Sequence, residues 1–144
     1  DEDEFMKNIA DIRSSCGDRA VLRAMHFYGD NARVEKQAAA LKAGDFETFK
    51  KYIIESGRSS YMYNQNVYSC KKASEQPVSL ALSLSEKLLD GCGAWRVHGG
   101  GFAGTIQAFV PLNKLDEYKD LMEKVFGSGS CYILSVRPVG GVEL

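Results

Sequence analysis

The residues in this chain best suited to chemistry are glycines. Arg96-Val97-His98-Gly99-Gly100-Gly101-Phe102-Ala103-Gly104 carries four glycines within six positions, between two segments that read as β-strand. Ala94–His98 is rich in large or branched side chains, and Thr105–Val110 alternates and then stops at Pro111. Glycine tolerates positive φ and leaves no side chain between the backbone and a ligand. Successive backbone N–H groups also form a concavity that suits phosphate. The plainer reading is a hairpin whose glycines relieve a steric conflict, and the residues alone leave both readings open.

Two familiar glycine motifs are excluded. Gly99, Gly101 and Gly104 match G-x-G-x-x-G, but a dinucleotide fingerprint needs a helix to open straight after the glycines. The segment that follows is β-branched, aromatic and ended by proline. A protein-kinase glycine loop precedes V-A-I-K, H-R-D and D-F-G sequences, and none follows here.

Other groups give less. His26 and His98 are the only histidines. His26, Asp30 and Arg33 share a helical face by their spacing, which suits packing and ion pairing as well as acid–base work. There is no G-x-S-x-G elbow and no triphosphate loop of the G-x-x-x-x-G-K-[ST] kind. Cys16, Cys70, Cys92 and Cys131 lie far apart with no C-x-x-C, so no zinc or other metal site and no disulfide framework is expected. Free thiols suit a reducing cytoplasm.

The elements that must position the loop follow from periodicity and caps. Asp18 can cap a helix over about Arg19–Ala43, stopped by Gly44. Its apolar residues form two stripes, Val21, Met25, Tyr28, Ala32, Ala39 and Phe27, Val34, Ala38, Leu41, so burial on more than one side is expected. Asp45 caps a second helix to about Glu55, ending near Ser56-Gly57 and forming a tight helical hairpin with the first. Arg58–Lys72 is polar and tyrosine-rich and reads as a loop able to bind a sugar or base, or to lie half-buried. A helix over Pro77–Asp90 starts with proline in its first turn, and another covers Asn113–Phe126. Cys131–Arg137 alternates as a third strand, with a fourth from the tyrosine-rich segment or from chain outside these residues. Helices first, then strand–loop–strand–helix–strand, predicts an α+β, two-layer domain with helices on one face of a mainly antiparallel sheet.

The 144 residues fit one domain, with residues 1–17 as a solvated acidic lead-in and 18–144 as the domain itself. Net charge is −1, which gives no footprint for nucleic acid or an anionic membrane. No apolar run is long enough to span a bilayer, and the acidic start is unlike a signal peptide. The absence of an initiating methionine suggests a piece of something longer.

Three segments together resemble one family. Gly93-Ala94-Trp95-Arg96-Val97-His98-Gly99-Gly100-Gly101-Phe102-Ala103-Gly104 resembles the third, C-terminal motif of the GHMP small-molecule kinases, which in galactokinases reads approximately G-x-x-R-M-T-G-G-G-F-G-G-C. Arg23-Ala24-Met25-His26 followed by Asp30-Asn31-Ala32-Arg33 is similar to the galactokinase pattern R-x-x-H-x-x-x-E-N-x-R. Ala38–Asp45 matches A-x-x-L-x-x-G-D, and Glu55-Ser56 falls where E-S-H stands. The chain departs from the pattern at His98 for threonine, Ala103 for glycine, Thr105 for cysteine and Gly57 for histidine.

The resemblance implies a C-terminal domain of the GHMP-kinase type, in an enzyme that moves the γ-phosphoryl of Mg-ATP to the 1-hydroxyl of galactose. It implies Gly99, Gly100, Gly101, Phe102, Ala103 and Gly104 near phosphate or substrate, with Arg96 and His98 behind them. It places no catalytic group in this chain. The serine-rich phosphate loop and the catalytic aspartate would come from an N-terminal half, the fragment's partner, and ATP and Mg2+ would not bind the fragment alone. Two other readings stand beside it: a GHMP kinase for a different sugar or alcohol, and a free-standing module binding a small ligand.

Overall fold

A computed structural model describes residues 1–102 and 104–136; Ala103 and Arg137 lie outside the described residues. Six helices and one strand pair follow among these residues, in the order α1 Glu2–Lys7, α2 Ile9–Cys16, α3 Asp18–Lys42, α4 Phe46–Ser59, α5 Pro77–Leu89, β1 Ala94–Val97, β2 Ile106–Phe109 and α6 Leu115–Phe126. A π-helical turn, Ser60–Asn64, continues α4, and a 3-10 turn, Leu112–Lys114, leads into α6.

The helical hairpin forms where the caps predict it. Asp45 accepts a hydrogen bond from the Thr48 N–H at 3.0 Å, and Gly44 takes φ +70 between α3 and α4. Pro77 opens α5 at a position whose N–H needs no helical partner. Gly17, at φ 82, precedes α3, and Asp18 is its first helical residue, paired with Arg13 instead of capping the helix.

β1 and β2 pair antiparallel, Ala94 opposite Phe109 and Val97 opposite Ile106. Alternation sends Ala94 and Phe109 to one face, where they meet Ala40, Phe49 and Ile53 of α3 and α4. Trp95 and Val97 turn to the other face, against Leu82 and Leu89 of α5 and Tyr118 and Met122 of α6. The fold is therefore α+β with a small antiparallel sheet, but its helices serve both faces and not one. A two-stranded ribbon is too narrow to be stable alone, and cover on both faces removes more of it from water.

Four further expectations change. Residues 1–17, read as a solvated acidic lead-in, form α1 and α2, and Phe5 among them is buried with its ring 5.5 Å from that of Tyr28. The second stripe of α3 stays outside, with Phe27, Val34 and Leu41 exposed. Residues 131–136 form no strand, and Tyr132, Leu134 and Val136 are exposed. An alternating segment needs a ladder partner to become a strand, and none lies beside it among the described residues. The tyrosine-rich segment continues α4 as helix and then loops; it adds no strand to the sheet.

The extension of α4 past Gly57 has a packing cause. A Cβ on Gly57 would lie 3.0 Å from Arg96 Cβ and 3.1 Å from the Trp95 carbonyl oxygen. The missing side chain lets the helix rest on β1, so this glycine is a contact point inside the helix and not its end.

Candidate functional site: the glycine loop and its supports

The glycine loop closes the β1–β2 hairpin. The His98 N–H donates to the Thr105 carbonyl at 3.0 Å, one step beyond the strand pair. Gly101 N–H then donates to His98 O at 3.4 Å, and Gly104 N–H to Gly101 O at 3.0 Å. Gly99, Gly101 and Gly104 have φ of +58, +81 and +84, a region that L side chains rarely adopt.

The glycines do different things. Gly93, just before β1, lies under β2, where a Cβ would come within 2.6 Å of the Phe109 carbonyl oxygen. At Gly101 a Cβ would overlap the Asn66 carbonyl oxygen and stand 2.8 Å from Asn66 Cγ. Gly99 and Gly104 meet no neighbour among the described residues and are required by φ alone. Gly100 has neither constraint: its φ is ordinary and, among the described residues, nothing lies within 4 Å of a Cβ there. Gly99, Gly100 and Phe102 are exposed, so the described outer surface at these residues is bare backbone beside one aromatic ring.

Behind the loop stands Asn66, 2% exposed. Its amide Nδ2–H donates to the Gly100 carbonyl at 3.3 Å, and its Oδ1 accepts from Ser60 Oγ at 2.9 Å. Sequence reasoning missed both residues, because 34 positions separate Asn66 from Gly100 and no spacing rule joins them.

Arg96 and His98 part company. His98 is exposed at the mouth of the loop. Arg96 turns toward α3, its Nη2 lying 3.9 Å from Asp30 Oδ2 and its Nε donating to Val97 O at 3.1 Å. There it joins a polar cluster between α3, α4 and β1. Ser56 Oγ donates to Asp30, Arg33 Nε lies 3.5 Å from the same carboxylate, and His26 Nδ1 shares a 3.0 Å hydrogen bond with Ser59 Oγ. Burial is the largest influence on His26 and pushes its pKa below the usual value; Asp30 opposes this, while Arg33 and Arg96 add to the lowering. The spacing of His26, Asp30 and Arg33 predicted their shared face, but Ser56, Ser59 and Arg96 come from elsewhere. The Ser56–Asp30 and His26–Ser59 hydrogen bonds tie α4 to α3, and the Arg96–Asp30 ion pair brings β1 into the same cluster.

Chemically, the loop offers backbone and no nucleophile. Among the described residues no group of three or more His, Cys, Asp or Glu side chains is placed to hold a metal ion. The surface has concavities of about 490 Å³ against Ser74–Pro77 and about 340 Å³ between α4 and α5, and the loop lines neither. No helix among the described residues is long and apolar enough to cross a membrane.

The chain is similar to human galactokinase, with 28% identity over 122 residues. The match takes in 85% of this chain and 29% of that protein, so the chain spans under a third of the length of this relative. No family model matches the chain, and no solved structure matches it.

Proposed function

We propose that this chain is the C-terminal domain of a galactokinase, with its glycine loop completing the phosphate end of a cleft whose reacting groups lie in an N-terminal half. The similarity to human galactokinase along most of the chain carries this reading. The bare outer surface of Gly99 and Gly100 supports it, because a phosphate can come close to backbone that carries no side chain. Phosphoryl transfer from Mg-ATP to the 1-hydroxyl of galactose is mainly positioning and neutralisation of charge. The residues here fit positioning, since they hold a loop in a fixed shape. Mg2+ would arrive with the nucleotide and supply charge neutralisation, and its protein ligands would belong to the other half. The cytoplasm is the compartment this reading implies.

A coupled assay with galactose and Mg-ATP tests it. The 144-residue chain alone should show no turnover above a blank without enzyme, and the polypeptide that also carries the N-terminal half should phosphorylate galactose. Turnover by the chain alone would overturn the division of labour. A longer polypeptide that ignores galactose but phosphorylates another sugar or alcohol would move the assignment to a different GHMP kinase.

A further inference from the structure

The tyrosine-rich segment has no place yet in the function, although its geometry is unusual. It leaves α4 through a π-helical turn, Ser60–Asn64, a form that recurs at functional positions. Gln65 follows in the left-handed region at φ 51, uncommon for a residue with a side chain. Together these bring Asn66 inward beneath the glycine loop, where it is 2% exposed.

The Gly100–Gly101 peptide unit is consequently held at both polar ends. Its carbonyl accepts from Asn66 Nδ2, and its N–H donates to His98 O. The Gly101 α-carbon rests on Asn66 so closely that no Cβ fits between them. Asn66 is itself fixed, because Ser60 Oγ donates to its Oδ1 and sets which end of the amide faces Gly100. A run of three glycines would otherwise sample many backbone conformations.

We propose that Asn66 is the positioning residue of the glycine loop: it locks the Gly100–Gly101 peptide so that the outer backbone of Gly99 and Gly100 meets a phosphate-bearing ligand already in shape. The ligand role rests on the kinase reading; the lock itself does not. Preorganisation of this kind removes the ordering cost from the binding step.

Two measurements separate these claims. Asn66→Asp keeps the shape and the acceptor for Ser60 but removes the donor to Gly100, and Asn66→Ala removes both. In the 144-residue chain, amide hydrogen exchange at Gly101 should accelerate about tenfold in either variant, the equilibrium weight of one hydrogen bond. The His98 amide, bonded to Thr105 in the same hairpin, should change less than about twofold. Equal acceleration at both amides would reduce Asn66 to general stability and overturn the proposal, as would no change at Gly101. Should both variants fail to fold, Ser60→Ala leaves the Gly100 contact in place and should give a smaller, still selective rise; no selective rise there overturns the lock. In the galactose-phosphorylating enzyme, Asn66→Asp should raise KM for ATP about tenfold with KM for galactose unchanged. Selective exchange with an unchanged KM for ATP would overturn the ligand role, whereas an unsubstituted enzyme with no kinase activity would sink the kinase reading and leave the exchange result standing.

Discussion

Alanine at Gly100 and alanine at Gly101 should have opposite consequences, although the two glycines are adjacent and equivalent in the motif. At Gly101 the new Cβ would have to displace Asn66 backbone, an overpacking worth about 1–3 kcal/mol. The φ of +81 adds about 1–2 kcal/mol for a residue with a side chain. At about 2–4 °C per kcal/mol for a chain of this size, the midpoint of thermal unfolding should fall by at least about 4 °C. At Gly100 the φ is ordinary and no described residue fills the space, so alanine should leave the midpoint unchanged or raise it slightly, since the unfolded chain loses freedom worth about 0.4–1 kcal/mol.

The functional assay then falls on the variant that folds normally. If ligand phosphate comes up against this backbone, Gly100→Ala and the bulkier Gly100→Val should raise KM for ATP in steps while thermal stability holds. Melting curves of the chain and galactose-dependent ATP turnover of the proposed longer kinase provide both readings. A Gly100→Ala midpoint as depressed as that of Gly101→Ala would refute the sorting of the two glycines. Unchanged turnover and KM in both Gly100 variants would refute phosphate approach at this position.

Three other outcomes follow from the packing. His26 has a folded pKa below its unfolded value near 6.5, so the unfolded chain takes the proton more readily. Stability contributed by neutral His26 is therefore full above about pH 6.5 and is lost as pH falls through the folded pKa; melting midpoints across that range should slope downward, and His26→Asn should flatten the slope. Tyr118 OH donates to Ser85 Oγ at 2.8 Å in the core, while Ser85 donates to Ala81 O, so Tyr118→Phe should cost about 1 kcal/mol in denaturant unfolding and leave Ser85 with a partner. Gly57→Ala should cost about 1–3 kcal/mol, because the atoms it meets, Arg96 Cα and the Trp95 carbonyl, belong to the strand backbone and cannot swing aside.

Local signals carried far in this sequence, and they stopped where a contact became long-range. The α3–α4 hairpin was legible because Gly44 and Asp45 act within one turn of chain, and the β1–β2 ribbon because alternation ended at proline. The strand expected at 131–137 shows the limit: alternation states which side chains share a face, but pairing needs a neighbour that alternation does not name. The exposed stripe of α3 makes the same point for helices, since Phe27, Val34 and Leu41 have the spacing of a buried face and lack a covering element among the described residues.

The glycine motif is the sharper case. In sequence, Gly93, Gly99, Gly100, Gly101 and Gly104 carry one message, that no side chain is wanted. In space the reasons divide among a passing strand carbonyl, a left-handed φ, a buried asparagine and, at Gly100, nothing among the described residues. The first three are answered within the fold, so those glycines would be needed in a loop that bound no ligand. Only where the fold imposes no demand is bare backbone left for a ligand to explain. That leaves Gly100, held in place by Asn66, as the position at which structural and functional explanations of the motif can be told apart.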